Sequence, residues 1–215
     1  MQSFAYKVKS ELCRQPVSRQ CCARAEAYGV LLFCNTFTAA EVRIITENPE
    51  FAARLPRLFH RAFNVKFDRL PTEEAPGSKL IFQITDPEKL RRIMDTLGYD
   101  PRQSLVLHVN FAMLEEDCCR MSFLRGAFLA GGSVTDPEKR YHLELSTSHV
   151  QASREVSALL QEMGFLPRSV MRGGSAVIRR HEDALILLET DALELADVDT
   201  PAALEQVRQA KASEI

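Results

Sequence analysis

Two adjacent cysteine pairs, Cys21-Cys22 and Cys118-Cys119, are the residues whose type first suggests metal or redox chemistry. Zinc sites usually space their cysteines by two residues or more, and these pairs have no spacer. Neighbouring side chains diverge on a helix, and no Cys–His spacing completes a tetrahedral set. The pairs therefore read as buried thiols at helix starts, with no metal and no cofactor. His142 and His149 lack a carboxylate or cysteine at catalytic spacing. Gly131-Gly132-Ser133 is too short for a nucleotide cradle, and no phosphate loop, nucleophile elbow or dinucleotide fingerprint occurs. No catalytic residue is assigned.

The remaining chemical signal is charge. Phe165 to His181 holds Arg168, Arg172, Arg179 and Arg180 and no acid, whereas Glu182 to Ile215 holds nine acids against Arg208 and Lys211. The basic stretch reads as a hairpin turning at Gly173-Gly174. By the two-residue strand period, Arg168 and Arg172 share one face, while Arg179 and Arg180 point to opposite faces.

The elements that must position these residues come from an internal repeat. The cysteine pairs stand 97 positions apart, and that offset also matches Ala27 to Leu124, Gly29 to Gly126 and Thr38 to Thr135. Each copy opens with a helix that turns continuously apolar and breaks at Cys34-Asn35 or at Gly131-Gly132. Strands are expected over Glu41–Thr46 and Tyr141–Ser146, then helices over Pro49–Ala62 and Val150–Met163. Two further strands follow in each copy, near Val65–Asp68 and Lys79–Ile84, and near Leu166–Met171 and Ala176–Arg180. Closing helices fall at Pro87–Leu97 and Glu182–Leu193. The expected fold is α+β, a duplicated αββαββα arrangement with pseudo-two-fold symmetry. Residues 1–97 form the first repeat, 98–117 a linker, 118–195 the second repeat, and 196–215 an acidic, Ala-rich tail. Gly29, Gly126 and Ala130 supply the small-residue stripe on which the first helix of each repeat would pack.

Composition narrows the class. The chain has 215 residues, 46% of them hydrophobic and 26% charged, which excludes a disordered polypeptide. It has no apolar run of the roughly 18 residues that cross a bilayer and no apolar leader segment near Met1. Six cysteines without such a leader point to reduced thiols in the cytoplasm. A net charge of −2 neither announces nor excludes nucleic acid, because it sums a basic segment and an acidic one.

The duplicated unit resembles the LAGLIDADG homing endonuclease fold. The second copy of the motif is L-R-G-A-F-L-A-G-G, Leu124 to Gly132, and the first is A-Y-G-V-L-L-F-C-N, Ala27 to Asn35. The run F-L-R-G-A-F-L-A-G-G-S-V-T-D-P, Phe123 to Pro137, is more specifically similar to the WhiA family. Ser3-Phe4, Lys9-Ser-Glu-Leu and both Cys-Cys pairs share that similarity, which spans about Ser3 to Leu193. It implies a bacterial transcription regulator tied to cell division, chromosome segregation and, in some lineages, sporulation, associated with the nucleoid.

The resemblance also carries a chemical test. LAGLIDADG nucleases hold divalent metal on a carboxylate at the penultimate motif position of each helix. Those positions are Cys34 and Gly131 here, and the motif's earlier acid is replaced by Leu32 and Leu129. Neither Cys34 nor Gly131 supplies a hard oxygen ligand, so no nuclease activity is expected. What the resemblance retains is two antiparallel sheets forming a saddle for double-stranded DNA. Its candidate contacts are Arg43, Lys66, Arg69, Lys79, Arg140, Arg168, Arg172 and Arg179. Arg54, Arg57 and Arg61 form a helix stripe that reads as solvated. The family's usual C-terminal helix-turn-helix is not recognisable after Leu195, so weak DNA binding is expected. The alternative is a scaffold whose sheets bind a protein partner of the transcription or division machinery.

Overall fold

A computed structural model of the chain describes residues 3–17, 19–71, 78–100, 106–136, 138, 142–172 and 175–181. The closing helix expected over Glu182–Leu193, the tail and Arg140 lie outside the described residues. So do Gly173 and Gly174.

Two central helices carry the molecule: α2, Gln20–Phe33, and α5, Asp117–Gly131. Ala23, Ala25, Tyr28, Val30, Leu31 and Leu32 of α2 are wholly buried, as are Phe123 and Ala127 of α5. Such an apolar surface must be enclosed by other elements, which makes these helices the core.

Around this pair the remaining elements repeat. In the first half β1, Thr36–Phe37, and β2, Val42–Thr46, precede α3, Pro49–Phe63; β3, Leu80–Ile84, and α4, Pro87–Leu97, follow. The second half gives β4, Gly132–Val134, β5, His142–Thr147, α6, Val150–Glu162, β6, Arg168–Arg172, and β7, Ser175–His181. The result is an α+β fold with two antiparallel sheets, ordered β1-β2-β3 and β4-β5-β7-β6. Local chemistry sets the helix ends. Asn48 Oδ1 accepts from Phe51 N at 2.8 Å to start α3, and Asp86 Oδ1 accepts from Glu88 N at 2.8 Å to start α4. Pro49 and Pro87 occupy first-turn positions where no N–H is needed, and Gly98 ends α4 at φ +78.

The strand expected over Val65–Asp68 is absent, so the first sheet is one strand short of the second. Val65 and Phe67 turn inward instead, with the Phe67 ring 4.7 Å from Phe59 and 5.2 Å from Phe82. Asp68 Oδ2 accepts from Thr85 N and Asp86 N at 2.7 and 2.9 Å, which pulls the segment toward the start of α4. Only Arg69 makes a bridge, to Gln83 of β3.

The sequence reading also lacks α1, Phe4–Arg14, which has no counterpart among the described residues of the second half. Ser3 caps it by accepting from Tyr6 N at 3.1 Å. Phe4, Ala5, Val8 and Leu12 then pack on the core at helical spacing. Asn48 Nδ2 donates to Ser10 Oγ at 2.9 Å, tying α1 to the start of α3.

The segment between the halves is anchored. Leu107, Val109 and Leu114 are buried, and the buried Tyr28 hydroxyl meets the Tyr99 hydroxyl at 2.7 Å. It also accepts from Asn110 N at 2.8 Å.

Candidate nucleic-acid interface

Strand alternation sorts each sheet into a face toward the helices and an open face. In β2, Val42 and Ile44 are buried while Arg43 is exposed; in β4, Gly132 and Val134 are buried while Ser133 is exposed. Residues directly opposite on paired strands share a face. The registers therefore place Thr36, Arg43, Gln83 and Arg69 in one cross-strand row on the open face of the first sheet. The second sheet has a matching row of Ser133, Glu144, Arg179 and Arg168.

Four of the candidate contacts, Arg43, Arg69, Arg168 and Arg179, thus fall in homologous rows. Arg172 is the last residue of β6. Lys79 is exposed one residue before β3. Lys66 is misplaced by the strand expectation. With residues 65–68 turned off the sheet, it lines a groove of about 1240 Å³ between α1 and α3, beside Arg14, Arg57 and Arg61. The rows also carry anionic groups. Gln83 Nε2 donates to Glu41 Oε1 at 2.6 Å, and Glu144 Oε1 lies 2.8 Å from His142 Nε2.

Behind the sheets the two central helices meet at backbone distance. A Cβ on Gly29 would stand 2.0 Å from the Phe123 carbonyl oxygen, and one on Gly126 would stand 2.0 Å from that of Glu26. Ala130 is half-buried against the core. The motif ends pack as tightly. Cys34 is buried, its Sγ donating to Leu31 O and Thr36 O at 3.2 Å each, and burial pushes its thiol up to about 12. A Cβ on Gly131 would lie 2.4 Å from Ser146 O and 2.9 Å from Phe33 O.

Two clusters escape sequence reasoning. The first corrects the reading of Arg54 as solvated, while Arg57 and Arg61 of the same stripe are exposed as expected. The fully buried Glu26 carboxylate receives Arg54 Nε at 2.5 Å and Nη2 at 2.9 Å, and Arg125 Nη1 at 3.2 Å. Arg54 also donates to Cys13 O and Gln15 O at 2.9 Å, holding the end of α1. Glu26 in an apolar helix was the available signal, since a buried acid demands cationic partners. The second cluster corrects the account of the cysteine pairs. The Sγ atoms of Cys21, Cys22, Cys118 and Cys119 all lie within 4.8 Å of one another, because the two helix starts meet across the seam. Neighbours do diverge on each helix, yet the paired helices turn both pairs into one space.

Comparison with known proteins follows the fold and the motif. Residues 120–193 match the family described as the WhiA LAGLIDADG-like domain. The probable cell division protein WhiA of Ruminiclostridium cellulolyticum is 32% identical over 182 residues, covering 81% of this chain and 58% of that protein. Residues 120–193 therefore carry the WhiA LAGLIDADG-like domain. The Carboxydothermus hydrogenoformans member is 33% identical over 175 residues, covering 79% of this chain and 56% of that one. The chain thus spans a little over half the length of these relatives. In fold it is similar to a crystal structure of the N-terminal LAGLIDADG domain of WhiA, at TM-score 0.65 and 17% identity, covering 87% of this chain and 90% of that one. It is also similar to the homing endonuclease I-DmoI in complex with DNA and Mn, at TM-score 0.52 and 13% identity, covering 80% and 97%. Among the described residues no helix is long and apolar enough to cross a membrane.

Proposed function

We propose that this chain is the LAGLIDADG-like part of a WhiA-type transcription regulator, binding duplex DNA through its sheets without cutting it. The observation that carries the reading is the pair of homologous open-face rows, each holding arginine where a groove-bound sheet would meet phosphate. Cleavage is set aside on the chemistry of the motif ends. Cys34 is a buried thiol held on two carbonyls, and Gly131 has no side chain and no room for one. Neither provides the oxygen that Mg²⁺ prefers. The reading includes a role in cell division, which the names of the relatives support, and in chromosome segregation or sporulation.

Binding should rest on phosphate contacts and therefore weaken with salt. A labelled random duplex titrated at low salt should bind, and the log-affinity slope against log salt should become shallower by about one for each phosphate contact removed in Arg69→Ala and Arg168→Ala. Affinity indifferent to salt and to both substitutions would overturn the proposal. Cleavage of a supercoiled plasmid in Mg²⁺, abolished by chelator, would overturn its catalytic half.

A further inference from the structure

We propose that Cys21, Cys22, Cys118 and Cys119 hold one zinc ion as a tetrathiolate that joins the two halves of the fold. Tetrahedral zinc with Zn–S near 2.3 Å places its sulfurs about 3.8 Å apart, so a set within 4.8 Å closes on a metal through sub-ångström side-chain shifts. A four-iron cluster carries its cysteines on separate irons around a cube and needs sulfurs more widely spread. The compact set selects a single ion, and four soft thiolates select zinc over hard cations.

Positive groups stand beside the cluster. Cys21 and Cys22 occupy the first turn of α2, and Cys118 and Cys119 that of α5, where backbone N–H groups point outward. Neither helix start has a side-chain cap hydrogen bond, and the positive dipole ends of both helices stand beside the cysteines. Arg19 Nη1 approaches Cys118 Sγ at 3.8 Å. Cys22 and Cys119 are buried, whereas Cys21 is exposed and Cys118 half-buried, so two ligands face inward and two close the site from its rim. Zinc would displace up to four thiol protons and leave a dianionic centre, balanced by Arg19 and the two helix ends. The chemistry differs from that at Cys34, whose thiol already donates to two carbonyls.

The test uses the full chain, reduced, stripped with chelator and returned to zinc. Metal analysis after gel filtration should find about one zinc per chain, and zinc should raise the melting temperature by roughly 5–10 °C. Cobalt in its place should give intense sulfur-to-metal charge transfer with the visible bands of a tetrahedral tetrathiolate. Cys21→Ser and Cys118→Ser should lose the bound ion, while Cys13→Ser, altered outside the cluster, should keep it. The cobalt spectrum is read on the unaltered protein, so a variant that fails to fold leaves the test intact. Four freely titrating thiols with no retained zinc would overturn the proposal. So would cobalt without thiolate bands, or cross-helix disulfides forming in the presence of zinc. Metal retention by Cys21→Ser and Cys118→Ser equal to that of the unaltered protein would also defeat it.

Discussion

Replacing Gly126 with alanine puts a methyl carbon 2.0 Å from the Glu26 carbonyl oxygen and 3.0 Å from Val30 N. An ordinary C···O contact lies at about 3.3 Å or more, so the helices must separate by roughly 1 Å. The obstacle is backbone, which cannot escape by changing rotamer. Overpacking ordinarily costs about 1–3 kcal/mol, and a backbone obstacle belongs at the upper end. Separation would also thin the contacts of Phe123 and Ala127, while the better helix propensity of alanine returns at most about 1 kcal/mol. The net loss is then about 2–3 kcal/mol, a fall in melting temperature of about 4–12 °C for a chain of this size. Thermal and urea unfolding followed by circular dichroism should report it. Gly29→Ala meets the Phe123 carbonyl at the same 2.0 Å and should behave alike. The double variant should cost less than the sum, because one separation relieves both contacts. An unchanged or raised melting temperature in Gly126→Ala would refute the argument, since helix propensity alone predicts that result.

Arg54→Met should cost about 3 kcal/mol in urea unfolding, because it strips two of the three contacts from the wholly buried Glu26 carboxylate. Arg125→Met, which removes one contact at 3.2 Å, should cost distinctly less. His149 Nε2 is buried without a hydrogen-bond partner among the described residues, and burial holds the His149 pKa below the ordinary histidine value. Its neutral form is therefore the folded form. The stability this confers is complete above about pH 6.5 and is lost as pH falls through the lower folded value. His149→Phe should flatten that acid limb of a melting-temperature profile.

The repeat itself was legible because each half obeys local rules. Capping residues stand before α3 and α4, alternation marks β2 and β5, and glycine recurs at matched positions of α2 and α5. Apart from α1, whose cap and helical spacing are local signals that were passed over, the failures lie where distant segments meet. Val65–Asp68 alternates as a strand should, but Phe67 gains more by entering the Phe59–Phe82 aromatic group than by pairing. Lys66 leaves the sheet with it. Arg54 looks solvated within α3 alone, since its partner Glu26 lies on another helix. The thiol cluster was hidden for the same reason. Ligand-spacing rules scan along one segment, whereas these four sulfurs converge only when two helix starts meet.

The two halves agree where backbone touches backbone and differ where side chains face outward. Gly29 and Gly126 are paired obstacles to any side chain, so packing dictates both positions together. The open rows have no such constraint: Thr36 and Ser133 correspond in register, as do Arg69 and Arg168, yet the register position of Arg43 is taken by Glu144 in the second sheet and that of Gln83 by Arg179. Two related sheets thus present unlike sequences of charge. A ligand lying across both would meet cationic groups near the outer strand positions, Arg69 and Arg168. Toward the inner strands it would meet Arg43 on one side and the Glu144–His142 pair on the other. If the proposed duplex binding holds, such a surface should have one preferred orientation on DNA even though its scaffold is nearly symmetric. The symmetry belongs to the seam that holds the halves together, and the asymmetry to the faces that remain available for binding.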